Sequence, residues 1–336
     1  MSTPVIRTSG LTRHYTRHKA TVEAVRGLDL EVSQGELVAF LGPNGAGKST
    51  TLRMLTTLLA PTSGTAEVAG YDVVREHREV RRSIGFVGQG NAAGHTQRGR
   101  DELVSQARSF GMTRRQAHER AEELLAAFDL TEQAGRPVST LSGGQRRRLD
   151  VAIGLVHTPR LLFLDEPSTG LDPQNRVNLQ EQITRLHAEQ GTTIVLTTHY
   201  LEEADTIADR VVVIDHGVVI ADDSAARLKS SLGDLVRLGF ESVADATVGA
   251  ERAASIPGAV VSIEGDGTAV EMRVAHGRDL AAGLVTDLAW QGTTVSRIEV
   301  AGPTLDDVFL DLTGRSLRET NESTTDSDID SKGAAA

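Results

Sequence analysis

One glycine-rich stretch constrains the fold of this chain more than any other part of the sequence. It follows an apolar run that predicts a strand, Leu37–Leu41, and it leads into a helical pattern over residues 48–58. It fits the pattern G-x-x-x-x-G-K-[ST] and consists of Gly42, Pro43, Asn44, Gly45, Ala46, Gly47, Lys48, Ser49 and Thr50. The glycines let backbone N–H groups surround a phosphate, and the helix presents its positive end there. The stretch therefore predicts a nucleoside triphosphate site, with a glycine-rich turn and a solvated lysine as the alternative.

Within that site, Lys48 is predicted to reach the β- and γ-phosphates and Ser49 to ligate Mg²⁺. Two carboxylates, Asp165 and Glu166, directly follow the apolar run at residues 161–164. A buried parallel strand delivers such residues to the edge of the sheet where phosphates and metal ions collect. Asp165 is therefore predicted to hold Mg²⁺, directly or through water, and Glu166 to polarise the attacking water. Taken alone, two carboxylates after an apolar run indicate only the end of a strand. Together with the glycine-rich stretch they indicate a nucleotide site with a metal ion.

The first part of the chain alternates apolar runs with helical patterns, which is typical of a parallel sheet covered by helices. The further predicted strands are Ile84–Val87, 193–197 and 210–214. Between about residues 90 and 157 only helical patterns occur, notably at 101–110 and 114–128. The prediction is an α/β domain over residues 1–228 with an inserted helical subdomain.

A third motif consists of Leu141, Ser142, Gly143, Gly144 and Gln145. Ser142 suits the N-cap of a helix, and the two glycines would expose backbone N–H groups at the helix start, which favours an anion. Arginines occupy positions 146, 147 and 148. Positive charges in the first turn oppose the helix dipole, so these arginines indicate either anionic neighbours or a solvated basic turn.

The composition argues against several functional classes for this protein. The formal net charge of −11 argues against a broad electrostatic grip on DNA or RNA, and no nucleic-acid partner is expected. Cysteine is absent, which excludes disulfides and thiolate metal sites. No apolar run approaches the roughly 20 residues that span a bilayer, and the first residues lack the apolar core of a secretory signal. We therefore expect a cytoplasmic chain, and any membrane work would have to be done through a partner.

In this order, the motifs resemble the nucleotide-binding subunit of ABC transporters, with Leu-Ser-Gly-Gly-Gln as the signature, from about residue 11 to about residue 222. The resemblance implies a P-loop NTPase cassette that binds and hydrolyses ATP with Mg²⁺. It also implies that Tyr15 stacks on adenine and that Gln89 contacts Mg²⁺, the water and the permease. Asp172 matches the D-loop, and His199 matches the residue that senses the γ-phosphate. Without the resemblance, Tyr15 and His199 are typical of structural residues.

The resemblance further implies a head-to-tail dimer. Each ATP would lie between the glycine-rich stretch of one subunit and the signature, residues 142–145, of the other. Two helix starts that bind anions can hold one polyphosphate from opposite sides, which agrees with this arrangement. Because each motif occurs once in the chain, a second copy of the ATPase subunit is required.

After residue 228 the pattern changes to a smaller α+β domain, predicted over residues 229–315. Its strands and helices follow the order βαββαβ, which is the ferredoxin-like arrangement. They are predicted at 235–240, Val243–Ala254, Val260–Glu264, Ala269–Val274, 278–290 and 294–300, with a closing helix at 306–312. A packing and dimer-stabilising role and a regulatory ligand site are both open for this domain. Residues 316–336 are polar and acidic and are predicted to be disordered.

The segment from Gly302 to Gly314 is similar to the closing segment of the daunorubicin-resistance type of ATPase subunit. That resemblance implies export of a drug or antibiotic through a separate ABC-2-type permease. Residues 90–99 depart from the group, since they are polar and glycine-rich where the permease would dock. The alternatives are the ATPase of an importer, a soluble ABC ATPase acting on ribosomes or DNA, and a catalytically idle partner in a heterodimer.

Overall fold

The computed structural model describes residues 4–17, 20–90, 92–314 and 316. It divides into two compact units, one ending at Asp222 and the other beginning at Asp223. The predicted disordered tail lies, apart from Ser316, outside the described residues. In the described part of the chain no helix combines the length and the apolar character needed to cross a membrane.

The strands of the first unit form two sheets. In chain order they are β1 (Pro4–Arg17), β2 (Ala20–Ser33), β3 (Leu37–Leu41), β4 (Ser63–Val68), β5 (Tyr71–Asp72), β6 (Ile84–Val87), β7 (Leu161–Asp165), β8 (Thr193–Thr198), β9 (Arg210–Asp215) and β10 (Val218–Asp223). One sheet has the order β10-β9-β3-β8-β7-β6, with parallel pairing from β9 through to β6. Every residue of β3, β7 and β8 is buried, because helices and the second sheet cover both faces.

The helices of the first unit include the predicted helical insertion. They are α1 (Lys48–Leu55), α2 (His77–Ser83), α3 (Gly99–Ser109), α4 (Arg114–Ala127), α5 (Gly143–Gly154), α6 (Pro173–Gln190) and α7 (Leu201–Ile207). Helices α3, α4 and α5 pack on one another, and α5 also packs on β6. Helix α1 ends before the predicted residue 58, because Thr57 adopts a left-handed φ of 63° and the amides of Leu58 and Leu59 both turn back to the carbonyl of Arg53.

The second sheet of the first unit was not predicted. It is antiparallel, with the order β2-β1-β4-β5, and β1 carries register shifts between Thr8 and Leu11 and between Arg13 and His14. Such shifts break the alternation of buried and exposed residues from which a strand is recognised. Its buried side chains, Ile6 and Leu11 among them, complete one core with Phe40, Phe163 and the apolar face of α1.

The second unit begins with α8 (Ala225–Ser230), which packs on the last helix, so the unit starts before the predicted residue 229. Its remaining elements are β11 (Asp234–Phe240), α9 (Val243–Ala254), β12 (Val260–Glu264), β13 (Ala269–Val274), α10 (Gly277–Trp290), β14 (Val295–Ala301) and α11 (Leu305–Thr313). The sheet has the order β12-β13-β11-β14, and every neighbouring pair is antiparallel. Alternate residues of β11, namely Val236, Leu238 and Phe240, face a core shared with α9 and α10.

Candidate active site

The carboxyl ends of three adjacent parallel strands build the candidate site. β3, β8 and β7 lie side by side, with Leu41 paired to Thr198 and Asp165 paired to Thr197. The glycine-rich loop, residues 42–47, leaves β3 at this edge and leads into α1. The apolar strands thus bring together residues that lie more than a hundred positions apart in the sequence.

Two glycines of the loop are required by close backbone contacts. A Cβ at Gly42 would lie 2.1 Å from the carbonyl oxygen of Ile214, and a Cβ at Gly47 would lie 2.4 Å from that of Ala24. Gly47 also has a left-handed φ of 106° immediately before α1. A side chain at either position would force the loop away from the sheet edge, so the glycines fix the shape of the phosphate cradle.

The Lys48 side chain is folded back on its own loop and is only 3% exposed. Its Nζ donates to the carbonyl of Gly42 at 2.6 Å and to that of Pro43 at 3.0 Å. Burial lowers the pKa of Lys48 to about 8, and the negative charges of Glu166 and Asp165 partly oppose that shift. The amine is therefore still protonated at neutral pH and can bind a phosphate.

Oxygen atoms suited to Mg²⁺ meet beside the cradle. The Ser49 hydroxyl donates to Asp165 Oδ1 at 2.7 Å, and the Thr197 hydroxyl donates to the same oxygen at 2.8 Å. Gln89 Nε2 lies 3.4 Å from Ser49 Oγ, so the amide oxygen of the same side chain also lies near Ser49. A hydroxyl, a carboxylate and an amide oxygen, completed by phosphate oxygens, form the kind of ligand set that Mg²⁺ prefers.

Glu166 occupies the turn that follows β7. It has a φ of 46°, which is unusual for a residue with a side chain, and its N–H donates to the Thr197 hydroxyl at 2.9 Å. His199 Nδ1 lies 3.6 Å from Glu166 Oε2, which is longer than a hydrogen bond. The histidine lowers the pKa of Glu166 most, burial raises it, and Lys48 lowers it further. The carboxylate is therefore ionised at neutral pH and can accept a proton.

Part of this site, including Lys48, Ser49 and Glu166, lines a cavity of about 220 Å³. Its walls are formed by Ala24, Gln89, Glu166 and the loop residues 44–50. Tyr15 is not among the described residues that line it; its ring is 37% exposed, with the Arg13 guanidinium 4.8 Å from the ring centroid. Adenine stacking on Tyr15 therefore stays a prediction.

The signature motif begins α5 and lies outside that cavity wall. Ser142 caps the helix: its Oγ accepts from the N–H of Gln145 at 3.2 Å, and Gln145 Oε1 accepts from the N–H of Ser142 at 3.0 Å. A Cβ at Gly144 would lie 2.2 Å from Asn175 Oδ1, whereas a Cβ at Gly143 would meet nothing within 4 Å. Packing in this chain thus accounts for Gly144, whereas Ser142 and Gly143 are exposed.

Asp172 is joined to the signature through Asn175. Asp172 caps α6 by accepting from the N–H of Asn175 at 2.9 Å, and its other oxygen accepts from Asn175 Nδ2 at 2.6 Å. The same Asn175 packs on Gly144. The D-loop residue predicted from the resemblance therefore positions the residue that contacts the signature helix.

Several residues around the site were not predicted from the sequence. Thr197 connects Asp165 with the backbone of Glu166, and the buried Glu203 accepts a hydrogen bond from Ser168 below the D-loop. Arg147 is 8% exposed and donates to four backbone carbonyls, which contradicts the solvated basic turn as a description of this arginine. Its direct acceptors are uncharged carbonyls, but Asp150, Asp165 and Glu203 also interact with it electrostatically, which agrees with the expectation of anionic neighbours. A run of identical residues carries no signal of which one is buried.

Comparisons with known proteins agree with this geometry. The family described as ABC transporter matches residues 25–169. A dimeric ATP-binding cassette, solved in a post-hydrolysis state bound to ADP and Pi, superimposes with a TM-score of 0.60 at 25% identity, covering 65% of this chain and 98% of the other. A second dimeric structure, of a bacterial ABC transporter cassette, gives a TM-score of 0.61 at 26% identity over 65% of this chain and 98% of the other. The fold is that of an ATP-hydrolysing cassette.

The similarity to particular relatives extends through the second unit. The daunorubicin/doxorubicin resistance ATP-binding protein DrrA of Streptomyces peucetius is 45% identical over 314 residues, 93% of each chain. The linearmycin resistance ATP-binding protein LnrL of Bacillus subtilis is 34% identical, over 88% of this chain and 95% of the relative. The chain therefore belongs to the ATP-binding subunits of ABC transporters, in the group of the daunorubicin-resistance proteins.

Proposed function

We propose that this chain is the ATPase subunit of an exporter and that it energises efflux of a drug or antibiotic through a separate ABC-2-type permease in the membrane. The observation that carries the proposal is the 45% identity to DrrA over 93% of both chains, which includes the second unit as well as the cassette. The chain would lie on the cytoplasmic side of the membrane and be held there by the permease.

The active form in this proposal is a head-to-tail dimer of two ATPase subunits. Support comes from the dimeric form of similar cassettes and from the position of the signature outside the cavity wall of its own chain. The open space beside Gly143 fits the approach of a phosphate bound to the partner. Ser142 to Gln145 would then complete the site of the other subunit.

Within each site, residues 42–50 surround the phosphates, and Lys48 exchanges the carbonyls of Gly42 and Pro43 for phosphate oxygens. Ser49, Asp165 and Gln89 would hold Mg²⁺, which neutralises charge on the β- and γ-phosphates when it is bound. Glu166 accepts the proton of the attacking water, and His199 steadies its carboxylate. Inorganic phosphate and ADP are the products.

Replacing Glu166 with glutamine tests the base and the dimer together. Glu166→Gln removes the proton acceptor, so the rate of ATP hydrolysis should fall about 100-fold or more. ATP should then hold two chains together, which light scattering behind a size-exclusion column would detect. Lys48→Ala is the control that should neither hydrolyse ATP nor dimerise, and hydrolysis by Glu166→Gln at the wild-type rate would exclude Glu166 as the base.

The composite site can be tested through Ser142. In Ser142→Ala the separated chain should keep its affinity for ATP, because this residue lies outside its own cavity wall, while hydrolysis should fall sharply. Equilibrium binding and steady-state hydrolysis measure the two properties. A loss of affinity equal to the loss of hydrolysis would place Ser142 in the site of its own chain and contradict the shared site.

The direction of transport needs the permease as well. Inverted membrane vesicles that contain the chain and a co-expressed ABC-2-type permease should accumulate daunorubicin or a related drug when ATP is added outside. Vesicles with the Glu166→Gln chain are the matched control. ATP-dependent loss of drug from preloaded inverted vesicles would instead identify the ATPase of an importer.

A further inference from the structure

A buried arginine joins the signature helix to the catalytic turn of the same chain. Arg147 lies on α5, one turn after the signature. Its Nε donates to the carbonyl of Pro167 at 2.8 Å, and its Nη2 lies 3.1 Å from the carbonyl of Asp165 and 3.3 Å from that of Glu166. Its Nη1 donates to the carbonyl of Gly88 at 2.6 Å. One rigid guanidinium therefore binds the backbone of both segments that carry catalytic side chains.

The same helix holds the backbone on the other side of Gln89. Asp150, one turn further along α5, is 1% exposed, and its Oδ1 accepts from the amides of Ala92 at 2.9 Å and Ala93 at 3.1 Å. Arg147 holds the residue before Gln89, and Asp150 holds residues after it. Their opposite charges also attract each other. Gly88 on one side of Gln89, and Ala92 and Ala93 on the other, are thus each bonded to α5.

Arg147 differs in this respect from the arginines beside it. Arg146 donates to the carbonyl of Leu141 in its own helix start at 3.4 Å. Arg148 lies 3.3 Å from Asn178 on α6 and 3.9 Å from Asp129. Arg147 therefore provides the direct connection from this arginine run to the turn of Glu166. That turn depends on being held, because Glu166 is in a left-handed conformation that a residue with a side chain seldom adopts.

We propose that Arg147, supported by Asp150, is a positioning residue that couples the signature of each chain to that chain's own Glu166 and Gln89. The inference rests on the dimer of the proposed function. A signature that closes on the partner's ATP moves the start of α5, and Arg147 carries this movement to the backbone of Glu166. Hydrolysis at one site is then sensitive to ATP at the other, because each signature and its own catalytic turn move as one body.

The test compares Arg147→Lys with Arg120→Lys in the purified full-length chain. Lysine keeps the positive charge of Arg147 but cannot reach four carbonyls at once. Arg120 is a matched control, since it is also largely buried and donates to the carbonyls of Leu155 and Val156, beyond the far end of α5. For both variants and the wild type, the rate of hydrolysis is measured against ATP concentration, together with ATP affinity of the separated chain.

For Arg147→Lys we expect kcat to fall about tenfold or more. The Hill coefficient should drop from above 1 in the wild type to about 1. The ATP affinity should stay within twofold of the wild type. Arg120→Lys should keep both the kcat and the Hill coefficient. Asp150→Asn, which retains an acceptor for the two amides, should give a smaller change in the same direction as Arg147→Lys and serves as a second variant if Arg147→Lys does not fold.

Wild-type kcat and Hill coefficient in both Arg147→Lys and Asp150→Asn would overturn the proposal. Equal losses in Arg147→Lys and Arg120→Lys, or a tenfold loss of ATP affinity in Arg147→Lys, would do the same. A wild-type Hill coefficient of 1 would also overturn it. That result would leave the proposed dimer intact as long as Glu166→Gln still dimerises with ATP. Failure of Glu166→Gln to dimerise would count against the proposed function itself.

Discussion

Arg147 in the first unit and Arg237 in the second each lie among several oxygen atoms, but the two surroundings differ in kind. Arg147 is buried and binds uncharged backbone carbonyls at the ends of two strands. Arg237 is 42% exposed on the face of the small sheet opposite its core, where Glu264, Glu271 and Glu299 surround it. The more highly charged cluster is the one that contributes less to stability, because water screens it and solvates each member when the contacts break.

The largest expected effect follows directly from this difference. Arg147→Met leaves buried carbonyls without a donor and should lower the free energy of unfolding by about 3 kcal/mol. Arg237→Met should change it by less than about 1 kcal/mol, with a somewhat larger loss at low salt, where the remaining glutamates repel one another. Urea unfolding of both variants measures the two values. Equal losses would mean that burial does not govern the strength of these contacts.

Two glycines, one in each unit, allow a similar comparison of how closely their helices are packed. Gly144→Ala forces a Cβ against Asn175 and should destabilise the first unit by about 1–3 kcal/mol. Gly283, exposed within α10 of the second unit, has nothing within 4 Å of an added Cβ, so Gly283→Ala should stabilise by about 0.5–1 kcal/mol. Thermal unfolding gives the sign of each change. Stabilisation by Gly144→Ala would refute the close contact between α5 and α6.

The smallest expected effect is a pH dependence of ATP affinity, which follows from the lowered pKa of the buried Lys48. In the free chain the ammonium loses its proton near pH 8, whereas bound phosphates favour the charged form and raise its pKa. ATP binding should therefore take up a proton above pH 8, and affinity should fall by up to about tenfold per pH unit there but not below pH 7. Calorimetry at pH 7 and pH 9, in buffers with different protonation enthalpies, detects the uptake.

Lys48→Arg is the control for that measurement. Arginine stays protonated throughout this range, so the variant's ATP affinity, even if weaker overall, should not depend on pH between 7 and 9. If the ATP affinity of Lys48→Arg depended on pH in the same way, the proton taken up on ATP binding would belong to a group other than Lys48.

The elements that could be predicted from the sequence are those with a simple periodicity. The strands around residues 37–41 and 161–165 are continuous apolar runs because both of their faces are covered, and the helices at 243–254 and 277–290 repeat apolar residues with helical spacing. The loop between β3 and α1 lies where its motif placed it, because the glycines permit the tight backbone that joins a buried strand to a helix. Local chemistry was enough in these segments.

The features that escaped prediction depend on distant parts of the chain. β1 and β2 were missed because their bulges disrupt the alternation of buried residues. Arg147 and Thr197 gained their roles only when the sheet brought β6, β7 and β8 together. The end of α1 depends on the left-handed Thr57, and the start of the second unit on the packing of α8 against α11. Sequence spacing carries no information about such contacts.

The folded-back Lys48 has a further consequence, for the entropy of nucleotide binding. A free lysine side chain loses up to about 2 kcal/mol of rotamer freedom when a ligand immobilises it. Lys48 is already held by the two carbonyls of its own loop, so much of that loss occurs when the chain folds and not when ATP arrives. The cradle is preorganised, and the nucleotide exchanges one set of oxygen acceptors for another.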